Sequence, residues 1–286
     1  MPAISNLNLN YNRPLKIADD VYWVGVSNPE IGLQANPYLI IDDGEAVLID
    51  GGSRPEFASV MMKILQTGLP PSSISTLLYQ HYDPDLCGSI PNLEDIIDRT
   101  DLKIISQQEN NVFIRHYAVR TRLTCMETLG RKLVLASGRT LRFIPTPYAH
   151  SPGSFVTYDE KSGIIFSSDL FGSYSHGKDN FELFLSLPAS CHTCTDLVPL
   201  REQPDCATGK RGCQLSSIHR FHRKIMTSTK ALRHAVDNIM DVNPAIIAPQ
   251  HGMVITDRQD IATIAAFLRR MEDVGIDHLL KEGKDG

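Results

Sequence analysis

The chain has 286 residues, 42% of them hydrophobic and 21% charged, with a formal net charge of −5 and a pI near 6.0. That composition supplies enough apolar surface for a globular core and argues against a general affinity for nucleic acid or an anionic membrane surface. The opening MPAISNLNLNYNRPL has no apolar core behind a basic start, and no apolar run approaches bilayer-crossing length. The expectation is a cytoplasmic protein with no membrane and no nucleic-acid partner, whose six cysteines are thiols or metal ligands.

Residues 1–20 read as an irregular arm. VYWVGV (21–26), NPYLIIDD (36–43) and AVLIDGG (46–52) are short apolar runs broken by turn residues, as in a strand meander. Phe57, Val60, Met61, Ile64 and Leu65 recur at helical spacing over 54–67, and Pro70-Pro71 closes that segment. Strands are expected at 75–80, 103–106, 132–136, 140–145, 163–168 and 245–248, and helices at 107–118, 216–240 and 257–281. Such a mixture implies helices packed outside sheets. Residues 176–215 hold four cysteines and several prolines without a period. They read as a Cys-rich insertion in one domain spanning 1–286.

Four of the apolar runs end in His or Asp. STLLYQ leads to His81-Tyr82-Asp83-Pro84-Asp85, LRFIPTPY to Ala149-His150, GIIFSS to Asp169, and PAIIAPQ to His251. Strands lying side by side would bring three imidazoles and three carboxylates to one rim. In extended chain, residues i, i+2 and i+4 share a side, so His81, Asp83 and Asp85 can face one pocket. A lone His is usually a hydrogen-bonded core or surface residue, and a lone Asp usually a cap; Asp85 before GSIPNLED could be one. Four such clusters at four strand ends favour a shared metal site. Structural zinc prefers thiolates. Three carboxylates with three imidazoles suit a harder, higher-coordinate pair of ions, iron or manganese, although zinc also accepts them.

LYQHYDPDLCGSIPNLED resembles the first metal motif of flavodiiron proteins, H-x-E-x-D-H followed by SGSLP. FIPTPYAHSPGSFVTYDEKSGIIFSSDLFGSY resembles their second and third motifs, IIAPQHG their last His motif, and DDVYWVGV their opening strand. The resemblance runs from about residue 18 to 256, interrupted by the insertion. It implies the α+β class, an αββα metallo-β-lactamase sandwich of two mixed sheets with helices on the outer faces. It also implies two iron ions: His81, Asp83 and His150 on one, Asp85 and His251 on the other, Asp169 bridging. Two positions depart from the pattern. Asp83 replaces Glu, and Leu86 replaces the His after the Asp, leaving a second-metal position open, filled by water or weaker and, if Leu86 points inward, a drier pocket. Hydrolytic relatives carry His where Asp83 stands.

Flavodiiron proteins carry a flavodoxin domain that binds FMN. Here the 35 residues after His251 read as one helix without a phosphate-cradling loop, so no FMN in cis is expected. The arrangement resembles oxygen-binding diiron proteins. The expected function is binding of O2 or NO at a diiron site, as a sensor or carrier, or as a reductase fed by an external donor. The alternative is a lactonase, thioesterase or phosphodiesterase using a metal-bound hydroxide. Expected partners are the diatomic ligand, a redox or signalling protein and, by resemblance, a second copy in a homodimer. Cys191, Cys194, Cys206 and Cys213 could hold zinc or an iron–sulfur cluster, though their gaps match no strong template. Cys87 and Cys125 are expected to pack as small apolar residues. His219 and His222 share a helix face and could line the pocket, although a solvated or capped face is expected, and His176 could sit near the metals as a donor to their ligands. Asp50 is expected to fix a turn or support the first motif.

Overall fold

Alternate apolar residues along the strands face opposite ways, and that alternation sets the layering. A computed structural model describes residues 9–26, 33–174, 182–192 and 213–282. The first sheet holds β1 (Leu15–Ala18), β2 (Val21–Trp23), β3 (Tyr38–Asp42), β4 (Glu45–Ile49), β5 (Ile74–Leu78), β6 (Lys103–Ser106) and β7 (Leu123–Cys125), in that order. It is antiparallel as far as β4 and parallel from β4 to β7. The second holds β8 (Lys132–Val134), β9 (Thr140–Pro145), β10 (Phe155–Asp159), β11 (Ile164–Phe166) and β12 (Ile246–Ala248), ordered β12-β11-β10-β9-β8. Its pairs are antiparallel except β11–β12.

Tyr38 and Ile40 of β3, Val47 and Ile49 of β4, Ile164 and Phe166 of β11, and Ile246 and Ala248 of β12 form the core between the sheets. Their neighbours Leu39 and Leu48 face outward onto α1 (Phe57–Gln66), α2 (Pro84–Cys87), α3 (Ile90–Ile97) and α4 (Gln108–Ile114). Ile165 and Ile247 face the opposite way. They meet residues from α5 (Ala189–His192), α6 (Gln214–Ile225), α7 (Thr229–Met240) and α8 (Arg258–Arg270). The chain has the expected metallo-β-lactamase αββα sandwich.

Several boundaries differ from expectation. Leu15–Ala18, expected as irregular arm, pairs with β2 as an edge strand. The helix expected over 216–240 breaks where Met226 turns extended and Ser228 caps α7, its hydroxyl accepting the Ala231 N–H at 3.2 Å. The helix expected over 257–281 breaks after Arg270; Gly275 in the left-handed region (φ +57) precedes a further helix, α9 (Ile276–Glu282). Strands β7 and β10 were not expected from the pattern. Part of the segment read as insertion belongs to the core: Leu183 and Phe184 are buried between the sheets.

At the β-turn end of the sandwich the sheets are tied by charge. Arg139 meets Asp159 through Nε (3.0 Å) and Nη2 (2.5 Å), and its Nη1 lies 3.7 Å from Asp42. All three side chains are essentially buried. The C-terminal ends of β5, β9, β11 and β12 lie at the other end.

Candidate metal centre

β5 delivers His81 after two further residues. Asp50, in the left-handed region (φ 55) just beyond β4, accepts the Gln80 backbone N–H and the Gln80 Nε2, both at 3.2 Å. That fixes the residue before His81. Asp83 is extended (φ −68°, ψ 153°) and Pro84 opens α2, so Asp85 stands in the first helical turn. Alternation in extended chain therefore accounts for His81 and Asp83 but not for Asp85, whose carboxylate is delivered by a helical turn.

The three motifs from the second sheet close on the first. His150 Nε2 lies 3.5 Å from Asp83 Oδ2 and 3.0 Å from Asp169 Oδ2. His81 Nε2 lies 3.9 Å from Asp83 and 3.8 Å from Asp169 Oδ1. His251 Nε2 lies 3.3 Å from both Asp85 Oδ2 and Asp169 Oδ1. Asp169 thus stands between two groups, His81–Asp83–His150 and Asp85–His251. All six residues of the sequence pattern come together.

Buried polar atoms are normally hydrogen-bonded, since leaving one unpaired costs about 1–3 kcal/mol. His81 Nε2, His150 Nε2 and Asp169 Oδ1 are buried without a hydrogen-bond partner. Among the described residues, ligand atoms of His81, His150 and Asp169 lie within 4.8 Å of one another. Cations among them would satisfy all three, so the donor set fits a metal centre.

Protonation follows from burial and neighbours. Burial pushes His81 down to about 3, keeping it neutral and able to ligate. Burial also pulls on His251, but Asp169, Asp85 and the Gln34 carbonyl carry it up to about 9. Burial opposes ionisation of Asp169, yet the adjoining His81, His150 and His251 hold it well below the usual carboxylate range. Burial raises Asp83 and Asp85.

The far ring nitrogens are held as well. His81 Nδ1 meets Ser168 Oγ at 2.9 Å, and His251 Nδ1–H donates to the Gln34 carbonyl at 2.7 Å, which turns each Nε2 toward the centre. Asn36 donates to the Pro249 and Gly252 carbonyls at 3.1 and 2.9 Å, and the Tyr38 hydroxyl to Pro249 at 2.7 Å, clamping the His251 loop. Gly252 turns the chain just after His251 at φ +83°, where a Cβ would sit 2.9 Å from Ser173 N. Sequence reading missed Gln34, Asn36, Tyr38 and Ser168. Ser168 had a signal in SSD; the others act across more than 200 residues of chain and had none.

His222 corrects an expectation. It is fully buried, donating from Nδ1 to the Ile218 carbonyl (2.8 Å) and accepting the Phe171 N–H at Nε2 (3.0 Å), two residues beyond Asp169. Burial pushes it down to about 4, so it stays neutral and keeps both bonds. The adjacent Phe221 ring lies 5.6 Å from that of His251. Leu86 is fully buried in the apolar layer between the first sheet and its helices. Cys87 is buried there too, whereas Cys125 is part-exposed and donates to Glu127 at 2.8 Å. Cys191 and Cys213 are buried in the apolar layer beneath α6–α8. Cys194, Cys206 and His176 lie outside the described residues.

Residues 33–252 match the family described as ODP family beta lactamase. The chain belongs to that family. Among solved structures, the ODP-family chain is similar to one titled "Apo state of chemotaxis sensor ODP from T. denticola". The two are 26% identical with a TM-score of 0.71, covering 94% of this chain and 97% of that one. Another, titled "Peroxy diiron species of chemotaxis sensor ODP", is 26% identical with a TM-score of 0.70. Among curated relatives are the coenzyme F420H(2) oxidase of Methanothermobacter marburgensis and the nitric oxide reductase of Moorella thermoacetica. They are 23% and 25% identical over 86% and 92% of this chain. The chain spans 59% and 63% of their lengths, and 42% of Clostridium acetobutylicum flavo-diiron protein FprA2. No helix among the described residues is long and apolar enough to cross a membrane.

Proposed function

We propose that His81, Asp83 and His150 hold one iron ion, Asp85 and His251 a second, and Asp169 both, and that this centre binds O2 or NO as a sensor. The observation that carries the reading is that His81 Nε2, His150 Nε2 and Asp169 Oδ1 are buried without a hydrogen bond, on side chains whose ligand atoms lie within 4.8 Å of one another. Imidazole with carboxylate suits iron, with zinc and manganese as competitors. Bound iron would supply reversible electron transfer to a diatomic ligand. The chain's own groups orient that chemistry. The Ser168 hydroxyl and Gln34 carbonyl fix two imidazoles, Phe221 packs on one of them, and α2 presents Asp85.

The sensor reading is supported by likeness: the chain is 26% identical to the chemotaxis sensor, with a TM-score of 0.71, and 23% and 25% identical to the oxidase and the reductase.

Metal analysis and optical spectra of anaerobically purified protein, before and after air is admitted, test the reading. Two irons per chain and an O2-dependent visible absorption are expected. Stoichiometric zinc that iron cannot replace, with turnover of an ester or lactone and no response to O2, would instead make this a hydrolase. Zinc or an iron–sulfur cluster at Cys191, Cys194, Cys206 and Cys213 would raise the metal count in the same measurement. Sedimentation of the purified protein tests the homodimer.

A further inference from the structure

The outer helical layer carries a feature the metal centre does not use. α6, α7, α8 and the turn after α8 border an open cleft of about 650 Å³, within the range of small-molecule sites. Arg223, Arg233, Arg269 and Arg270 line it, against the carboxylates of Glu272 and Asp273. Among the described residues only Arg269 of the four is ion-paired, to Asp237 at 2.7 Å. The others are held by backbone carbonyls and an imidazole. Arg233 donates to the Arg269 and Met271 carbonyls at 2.8 and 3.2 Å, Arg223 to His278 at 2.9 Å, and Arg270 to the Ala266 carbonyl at 3.3 Å. The guanidinium groups are thus positioned without being neutralised. His219, whose ring meets that of Phe267 edge-on at 6.0 Å, and Met271 give the same cleft a less polar wall.

We propose that this cleft binds a phosphorylated small molecule carrying at least two negative charges. Planar guanidinium forks match phosphate oxygens two at a time, which a lysine cluster would not do. The volume exceeds what inorganic phosphate fills and leaves the His219–Met271 wall for an organic part. Arg223 and His219 belong to α6, the helix whose His222 holds the Phe171 N–H and whose Phe221 packs on His251. A ligand seated here braces the helix that supports the Asp169 loop.

Calorimetric titration of the full-length protein with inorganic pyrophosphate, ADP and adenosine tests this. Pyrophosphate and ADP bind, ADP more tightly; adenosine does not; and salt weakens both. Arg270→Gln, whose one bond among the described residues is to its own helix, weakens binding about tenfold, and the Arg233→Gln/Arg270→Gln pair weakens it further. Circular dichroism verifies that both variants fold. Hydrogen exchange with ADP shows protection in 214–225 and 258–270. The proposal is overturned by absence of binding at millimolar pyrophosphate and ADP, by variants that bind as well as the parent, or by protection confined to other segments.

Discussion

Asp169 touches all three imidazoles of the centre, at 3.0, 3.3 and 3.8 Å, and no other carboxylate does. In the proposed centre, removing it would leave two cations less screened. Asp169→Ala is expected to lose at least one metal per chain, measured by plasma emission on desalted protein, while His234→Ala on the exposed face of α7 keeps both; retention of both by Asp169→Ala would disprove the bridging role. Asp50 allows a test by pH. Burial raises its folded value from 3.8 to about 7, with the Gln80 bonds opposing. Between those values the folded chain holds a proton that the unfolded chain has released, so stability falls as pH rises. Metal-free Asp50→Asn should escape that fall, gaining on the order of 2–4 kcal/mol over the parent from pH 4 to pH 8 in urea titrations. Parallel pH profiles for the two proteins would rule this out. The six putting their side chains into the centre were readable because His and Asp at four strand ends form a pattern. Gln34 was not, because it acts through a backbone carbonyl that any residue has.

Helix α6 packs its apolar face on the second sheet and spends His222 on the Phe171 N–H. His222→Phe keeps the bulk and orphans that donor. It should cost about 1–3 kcal/mol in urea midpoint analysis and weaken metal retention against a chelator roughly 10–100-fold, as loss of a supporting contact does. Unchanged metal retention would confine His222 to packing. In α2, Leu86 belongs to the apolar layer beneath the first sheet's helices, so Leu86→His buries a polar ring there. Its expected effect is a lower melting temperature, not a tuned centre. Helix breaks at Met226–Ser228 and Gly275 escaped the pattern because the apolar period continues across both. Ser228 as a cap was visible in principle; the extended Met226 is set by packing.

Across the whole molecule the two sheets are joined at opposite ends by different means. Arg139, Asp159 and Asp42 join them at the turn end, and the candidate metal ligands join β5 to β9, β11 and β12 at the other. Arg139→Met leaves the buried Asp159 carboxylate without its cation, while Asp42 keeps Lys161 at 3.2 Å, and should cost about 3–5 kcal/mol, with metal content of the folded fraction unchanged. Metal removal should lower the melting temperature by roughly 5–15 °C, yet leave far-ultraviolet dichroism intact, because the three apolar layers need no ion. Collapse of the dichroism on chelation would show instead that the metals hold the fold together.

The sequence by itself determined the class of fold and the six His and Asp residues that come together at the candidate centre. Apolar alternation with covering helices dictates layers, and His and Asp after four strands declare a shared centre, because both signals live in local spacing. Tertiary structure decided which carboxylate meets which imidazole, that Asp85 arrives on a helical turn, and that Asn36, Tyr38 and Gln34 clamp a loop more than 200 residues away. It also decided that His222 is buried and that arginines from three helices share one cleft. These depend on contacts between segments far apart in the chain, and no local period encodes a long-range neighbour.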